Sequence, residues 1–554
     1  MIEERKERIL FIVPPYLSYD NFMNPAFNER TVVKKSGSYG SVVTDMPIGL
    51  MSLSAYLKKH SETEIKLIDF NVILNQIESF KYHSFLDFFE DILTFKFKDL
   101  VDYKPTIVAI STLFTPSYYN MLIAAFAAKN IFADALIIAG GGVPTNMYKE
   151  IFNDTDCIDA LCFGEAEKPL LGLVKADDKN EFFKNNPSWI TKEKVEKHQL
   201  FKYDFIEDLD EIPFYDYSIL DLSGYGLSPT ISSYASFEKK SIIFHVSTSR
   251  GCPFRCCYCA SHTVHGRKMR YHSVARIKED LMRLKEQYGA NRIGFQDDQF
   301  MADKKRALEI INIAKELKME IFFQSGLALY ALDRKMLETI KEAGLSQLVL
   351  AIESGSNRVL KEVMHKPLNL SIIKRVIADC RELGLDTDAN ILIGLPGETK
   401  QDIEDTRTFL KTLDATWFRI YIATPLIGSE MFDICLKKNY LKGSHIGSDF
   451  KRAVVETEDF NSDYIQEKAY ALNLELNFVG NSDFRLKNYE KALQGFENTI
   501  RVKSDHAFAY YYAAKCYDML GDTEKAQRYM NTAKQIVKEY PFWRNYANMF
   551  RVPI

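Results

Sequence analysis

Four of the nine cysteines fall within Gly251-Cys252-Pro253-Phe254-Arg255-Cys256-Cys257-Tyr258-Cys259. Thiolates are ligands for soft metals, and Cys252, Cys256 and Cys259 are spaced C-x3-C-x2-C. No fourth Cys or His follows at the short spacing of a closed four-ligand zinc site, although His262 and His265 are near enough in sequence to complete one. The sharper reading is an iron–sulfur cluster on three thiolates, with one iron left open to a small molecule. Cys257 lies outside the pattern and reads as a bystander or as a redox-active thiol.

Such a loop needs a frame. Ser241-Ile242-Ile243-Phe244-His245-Val246-Ser247 reads as a strand that delivers the chain into the cysteines. Further strands are predicted at Arg292–Gln296, Glu320–Gln324, Gln347–Ile352, Asp388–Ile393 and Trp417–Ala423. Helices are predicted between them at Ala275–Tyr288, Lys304–Leu317, Asp333–Ala343, Ser371–Leu383 and Gln401–Leu413. Serial βα units predict a partial (β/α)6 barrel over 241–440, with its chemistry at the C-terminal ends of the strands. Those ends carry Gln296-Asp297-Asp298-Gln299, Glu353-Ser354-Gly355-Ser356, Gly394-Leu395-Pro396-Gly397-Glu398 and Thr424-Pro425-Leu426-Ile427-Gly428-Ser429. Each alone is an ordinary strand end or helix cap.

Upstream, Ile9–Val13 is an unbroken apolar run stopped by Pro14-Pro15, and strands and helices alternate to Ala160-Leu161-Cys162-Phe163. This predicts an α/β multidomain chain whose residues 1–174 form a doubly wound, Rossmann-like parallel sheet. No G-x-G-x-x-G follows the first strand, so the dinucleotide fingerprint is missing. Instead one strand ends in Ser111-Thr112-Leu113, another in Gly140-Gly141-Gly142, and the last in Gly164-Glu165. The glycines also suit a plain strand-to-helix turn at positive φ. Arg30–Gly40 reads as a loop, either a solvated connection or a lid. Residues 175–240, rich in Asp, Asn, Tyr and Pro, read as a linker.

Composition narrows the class. At 554 residues the chain has room for about three or four domains. A net charge of −4 and no basic run leave no case for nucleic acid, and no apolar stretch approaches the ~18 residues of a membrane span. The charged opening Met1–Arg8 is unlike a signal peptide, and unclustered cysteines argue for a reducing cytoplasm.

Together, the three-cysteine loop after the first barrel strand and the acidic and glycine turns at later strand ends resemble the radical S-adenosylmethionine (radical SAM) superfamily. The Ser111-Thr112-Leu113 and Gly140-Gly141 turns resemble the S-x-L … G-G pair of cobalamin-binding domains. Over roughly residues 5–440 the resemblance is therefore to the cobalamin-dependent branch, class B methyltransferase-like. It implies a [4Fe–4S] cluster on Cys252, Cys256 and Cys259, with the open iron chelating S-adenosylmethionine. Tyr258 would lie at the adenine, Asp297 or Asp298 at the amino group, Glu353 and Ser354 at the ribose or methionine moiety, Arg358 at the carboxylate, and Gly394 against the adenine. Cobalamin would be held by Ser111, Thr112, Leu113, Gly140, Gly141, Gly142 and Glu165. Domains that ligate cobalt from below carry D-x-H-x-x-G after the first strand. Tyr16–Val43 holds no histidine, so no protein imidazole is expected there.

The implied activity is methyl transfer from methylcobalamin to an unactivated carbon or phosphorus centre through a 5′-deoxyadenosyl radical. The competing expectations are a cobalamin-dependent cyclase, ring-rearranging or oxidative enzyme that moves no methyl group, and a non-catalytic adaptor with structural zinc. A methylthiotransferase would need more cysteines upstream than Cys157 and Cys162. The expected partners are a small-molecule or carrier- or peptide-linked substrate, walled by Tyr39, Tyr421 and Thr424, and an electron donor such as flavodoxin or ferredoxin. In 441–554, Asn488-Tyr489-Glu490-Lys491-Ala492 recurs as Asp522-Thr523-Glu524-Lys525-Ala526. The period of about 34 residues resembles tetratricopeptide repeats, over 473–538. That tail would dock a protein partner or close the barrel's open side.

Overall fold

The structure, a computed structural model, describes residues 6–25, 31–96, 102–225, 242–443 and 452–554. Arg30, the 226–240 part of the expected linker and Ser241 lie outside the described residues.

The first domain is built on β1 (Arg8–Val13), whose apolar run is buried on both faces. Leu10 and Ile12 pack into one helical layer, and Ile9, Phe11 and Val13 into the other, as a parallel strand covered on both sides requires. Thr31–Gly40, expected as a loop, is a hairpin of β2 (Thr31–Lys34) and β3 (Gly37–Gly40). Its strands lack a buried face in alternation, so the sequence carries no strand signal. Tyr39 is buried and stacks on Phe22 with ring centroids 5.0 Å apart. β4 (Glu64–Asp69), β5 (Ile107–Ser111), β6 (Leu136–Gly140), β7 (Ala160–Cys162) and β8 (Trp189–Ile190) complete the sheet, in the order β4-β1-β5-β6-β7-β8. All pairs are parallel except β7 with β8. Strand order reverses between β1 and β5, the place where such sheets bind ligands. β8 and the helices Lys179–Asn185 and Lys192–Glu196 lie in the stretch expected as linker, so that segment adds a strand to the first sheet. A strand of two residues leaves no periodicity in the sequence.

The barrel follows. β9 (Phe244–Val246) leads to a short ladder of β10 (Ser249–Arg250) and β11 (Arg270–Tyr271), which brackets the cysteine loop. β12 (Arg292–Phe295), β13 (Glu320–Phe323), β14 (Gln347–Glu353), β15 (Asp386–Ile393) and β16 (Trp417–Ile422) supply the other barrel strands. Among the described residues they form two parallel three-stranded sheets, β9-β12-β13 and β14-β15-β16, joined by a bridge between Leu327 and Leu350. The intervening helices open on side-chain caps from Ser273, Asp303, Asp333, Asn369 and Thr399.

β16 is an edge strand, and the tail covers it. Asn477 Oδ1 accepts from Phe418 N at 2.8 Å and its Nδ2 donates to Phe418 O at 2.7 Å, so one side chain stands in for a missing neighbour strand. Ser482 donates to Ala415 O, and Arg381 and Arg407 pair with Asp483 and Glu475. The helices Tyr489–Val502 and Thr523–Glu539 begin at the two copies of the repeat, and Ala507–Met519 and Pro541–Phe550 follow each. Asn477→Ala is expected to cost about 1–3 kcal/mol, because two buried backbone groups lose their partners. An unchanged denaturation midpoint would contradict that account of the edge. No helix among the described residues is long and apolar enough to cross a membrane.

Candidate functional site

The cysteine loop starts at Gly251, whose φ of +95° and contact with the Lys268 carbonyl leave no room for a side chain. Cys252 N donates to Gly266 O at 3.3 Å and Cys259 N to Cys256 O at 3.1 Å. Cys257 points into the core. Its N–H donates to Met364 O, its carbonyl accepts from Met431 N, and burial pushes its thiol up to about 12. That is an anchor, and a thiol held protonated is unsuited to redox exchange. Cys252, Cys256 and Cys259 are half-buried free thiols, and burial pushes both the Cys252 and the Cys256 thiol up. Burial, reinforced by the Cys259 and Cys256 charges, pushes Cys252 up to about 11. Three soft sulfur donors on one loop are a donor set that fits an iron–sulfur cluster. Each of the two histidines that could complete a zinc site has a partner: His265 Nδ1 lies 2.8 Å from Glu165 Oε1, and His262 meets the Cys259 backbone. Among the described residues, no group of three or more His, Cys, Asp or Glu side chains could hold a single metal ion.

The residues expected around S-adenosylmethionine divide. Tyr258, Glu353 and Asp298 lie with the cysteines. Lys366 Nζ stands 3.5 Å from Tyr258 OH and 3.6 Å from Glu353 Oε1. Glu353 is aimed by a bulge between Ala351 and Glu353 and by its own φ of +68°, a strained placement typical of functional positions. Asp298 is within reach of the Cys252 charge, and burial pushes its carboxyl up.

Asp297, Ser354 and Arg358 are turned to other tasks. Asp297 is saturated by Thr248 N at 3.1 Å, Thr248 Oγ1 at 2.7 Å and Ser249 Oγ at 2.5 Å, and so pins the turn between β9 and β10. Ser354 meets Thr406 Oγ1 at 3.1 Å, and Arg358 binds Asp402 and the Gly397 carbonyl, both on or beside the helix Lys400–Leu410. Gly394, at φ +90°, is a glycine because Ile465 of the tail helix Ser462–Leu474 packs on it; a Cβ would come within 2.9 Å of Ile465 Cγ2.

Two neighbouring residues, Glu398 and His245, are ionisable groups set within or beside apolar strands. Glu398 closes the Gly394 turn by accepting from Gly394 N at 2.6 Å and Leu395 N at 3.2 Å, and its Oε1 is buried without a partner. Burial pushes its carboxyl up to about 8. An acid raised in the fold stabilises it fully below its ordinary value of 4.5, and that contribution is lost as pH rises through about 8. Glu398→Gln is therefore expected to remove a downward slope of up to about 1.4 kcal/mol per pH unit in that window. Parallel stability–pH curves for the two proteins would contradict it. His245, the polar residue in an apolar strand, faces the barrel interior. Met46 N–H donates to its Nδ1 at 3.3 Å, Gln296 Nε2 lies 3.0 Å from the same nitrogen, and Gln324 Nε2 lies 3.3 Å from Nε2. Burial lowers its pKa.

In the first domain the two expected turns meet. Thr112 N donates to Gly140 O at 2.9 Å and Val143 N to Thr112 O at 3.1 Å. A Cβ on Gly141, at φ +109°, would lie 2.5 Å from Thr112 O, and one on Gly142 2.6 Å from Leu113 O. The glycines thus let the turns touch. Ser111 ends β5 beside them, half-buried. The Thr112 and Ser117 hydroxyls are buried without partners, and Leu113 and Phe114 are 49% and 43% exposed. Orphaned hydroxyls beneath an apolar lip fit a large amphipathic ring such as a corrin with its nucleotide tail. Glu165 departs from this set. Its carboxylate is engaged by Arg250, Arg270 and His265, which across the domain junction hold it well below the usual carboxylate range despite burial.

The two sites adjoin. Asn146, at the end of the helix Gly142–Asn146, donates from Nδ2 to Gly142 O and to Thr263 Oγ1, both at 2.8 Å. Thr263 lies in the helix His262–His265, which directly follows the cysteines.

Comparison with known proteins agrees with this layout. Residues 40–174 match the B12 binding domain and residues 246–410 the radical SAM superfamily. The chain is 29% identical over 435 residues to an uncharacterised methyltransferase of Pyrococcus horikoshii, covering 78% of this chain and 84% of that one. It is 26% identical over 430 residues to the cytidylyl-2-hydroxyethylphosphonate methyltransferase of Streptomyces wedmorensis, covering 71% and 78%. Cyclases also occur among the curated relatives. Among solved structures, the cobalamin-dependent S-adenosylmethionine radical enzyme OxsB, with aqua-cobalamin and S-adenosylmethionine bound, superposes with a TM-score of 0.62 at 14% identity, over 100% of this chain and 82% of that one. A corrinoid-type domain is thus joined to a three-cysteine barrel: the chain carries a B12-binding and a radical SAM domain in the order found in cobalamin-dependent radical SAM enzymes, and its relatives include enzymes named methyltransferases.

Proposed function

We propose that this protein methylates an unactivated carbon or phosphorus centre. The observation that carries the reading is the Asn146–Thr263 link, which sets the glycine turns of the first domain directly against the cysteine loop. In this reading Cys252, Cys256 and Cys259 hold the [4Fe–4S] cluster. Asp298 and Glu353 face S-adenosylmethionine at the open iron, with Tyr258 along its adenine. Thr112, Ser117, Leu113 and the glycines Gly140, Gly141 and Gly142 hold the cobalamin. When bound, these groups supply one-electron cleavage of S-adenosylmethionine and a transferable methyl group. The protein's own part is to hold the substrate between the two sites, exclude water and fix the approach. His245, Gln296 and Gln324 line the barrel interior below that space.

The substrate is a small molecule or a carrier- or peptide-linked group, the electron comes from a flavodoxin or ferredoxin, and the setting is the cytoplasm. The tail's role is to close the β16 edge, which the Asn477 pairing supports over partner docking. The test is anaerobic turnover with S-adenosylmethionine labelled in its methyl group. Label in product is expected. Formation of 5′-deoxyadenosine with an altered but unlabelled product would favour the cyclising or oxidative reading.

A further inference from the structure

The ladder of β10 and β11 sets Arg250 opposite Arg270, and both side chains are buried. Like charges directly opposed on a ladder repel, and buried guanidiniums without counter-charge are costly. These two residues are the stems of the cysteine loop: Arg250 directly precedes Gly251, and Arg270 follows the helix His262–His265. The counter-charge comes from the other domain. Glu165, three residues past β7, takes Arg270 in a bidentate pair at 2.9 and 2.6 Å, Arg250 at 3.0 Å and His265 Nδ1 at 2.8 Å. Glu167 takes the other Arg250 nitrogen at 2.6 Å and accepts from Ser52 Oγ at 2.6 Å. Two carboxylates thus balance two guanidiniums in a buried junction. Gly164 turns the chain into it at φ +82°, where a Cβ would lie 2.5 Å from the Tyr203 ring.

We infer that Glu165 is a positioning residue that closes the stems of the cysteine loop only when the first domain is seated, and so sets the spacing between the two sites. Buried ion clusters contribute little net stability but fix geometry through directional hydrogen bonds. The Asn146–Thr263 link lies on the same junction and shares the task. The inference rests on the proposed function to the extent that the sites hold a corrinoid and a cluster.

Reduced cluster and cob(II)alamin are both paramagnetic, so their dipolar coupling reports the spacing without turnover. The wild type is expected to show one narrow distance. Glu165→Asp keeps the charge but shortens the reach and should shift that distance, while Glu165→Gln should broaden it, each at wild-type iron and corrinoid content. Unchanged distance distributions in both variants would overturn the inference. If Glu165→Gln fails to fold, Glu165→Asp alone decides. If the wild type binds no corrinoid, the proposed function fails instead, and hydrogen exchange in the apo-protein decides the positioning claim. Amides over 250–271 should then exchange at least about tenfold faster in Glu165→Asp, and equal rates would overturn it.

Discussion

Cys256→Ala is expected to abolish formation of 5′-deoxyadenosine, a loss of at least about a thousandfold, while the apo-protein stays folded. Cys256 is half-buried, and removing one small thiol leaves no unpaired charge in the fold. In a cluster, however, each thiolate holds a different iron, so neither of the others can substitute. Cys257→Ala is the control that discriminates. Its thiol is buried and held protonated, so the variant should keep its iron and its activity and lose only packing. Equal losses in the two variants, with iron counted in each, would contradict the assignment of the three thiols.

Gly141→Val is expected to lower corrinoid affinity by a hundredfold or more, on the order of 3 kcal/mol, from strain alone. The substitution forces a β-branched residue to φ +109° and drives a Cβ to 2.5 Å from the Thr112 carbonyl, a backbone atom that cannot swing away. The two turns must separate, and the unpartnered Thr112 hydroxyl moves with them. The cluster lies in the other domain, so iron content should be unchanged. Wild-type corrinoid affinity in a folded Gly141→Val protein would remove the touching turns from the account.

What could be read from the chain was local. The cysteine spacing, the apolar strand Ile9–Val13 and the barrel's alternation of strands and helices each arise within a few residues, and the observed element bounds fall within three residues of those expected. Among the site residues, Asp298, Glu353, Thr112 and the glycines lie where their strand ends suggested. The side chains of Asp297, Ser354, Arg358 and Glu165 are engaged by protein partners that share one feature. Each is acidic, basic or hydroxylic at a strand end, and its use is decided by a partner far along the chain: Thr248, Thr406, Asp402 and Arg270 respectively. Gly394 is similar, since the residue that needs it to be glycine is Ile465 in the tail. The hairpin at Thr31–Gly40 and the strand Trp189–Ile190 were hidden by shortness. Each copy of the repeated segment in the tail opens a helix, but the tail's seat on β16, through Asn477 on Phe418 and Phe478 on Trp417, joins residues far apart in the chain.

The central claim is that corrinoid turn and cysteine loop serve one reaction that passes a methyl group. It can be tested without knowing the substrate. Protein reconstituted anaerobically with iron, sulfide and cobalamin is reduced, then given S-adenosylmethionine labelled in its methyl group, and the corrinoid is extracted. The account predicts labelled methylcobalamin at close to one per chain in the wild type, and loss of that label in Gly141→Val. Protein that binds cobalamin and cleaves S-adenosylmethionine but never labels the corrinoid would contradict it.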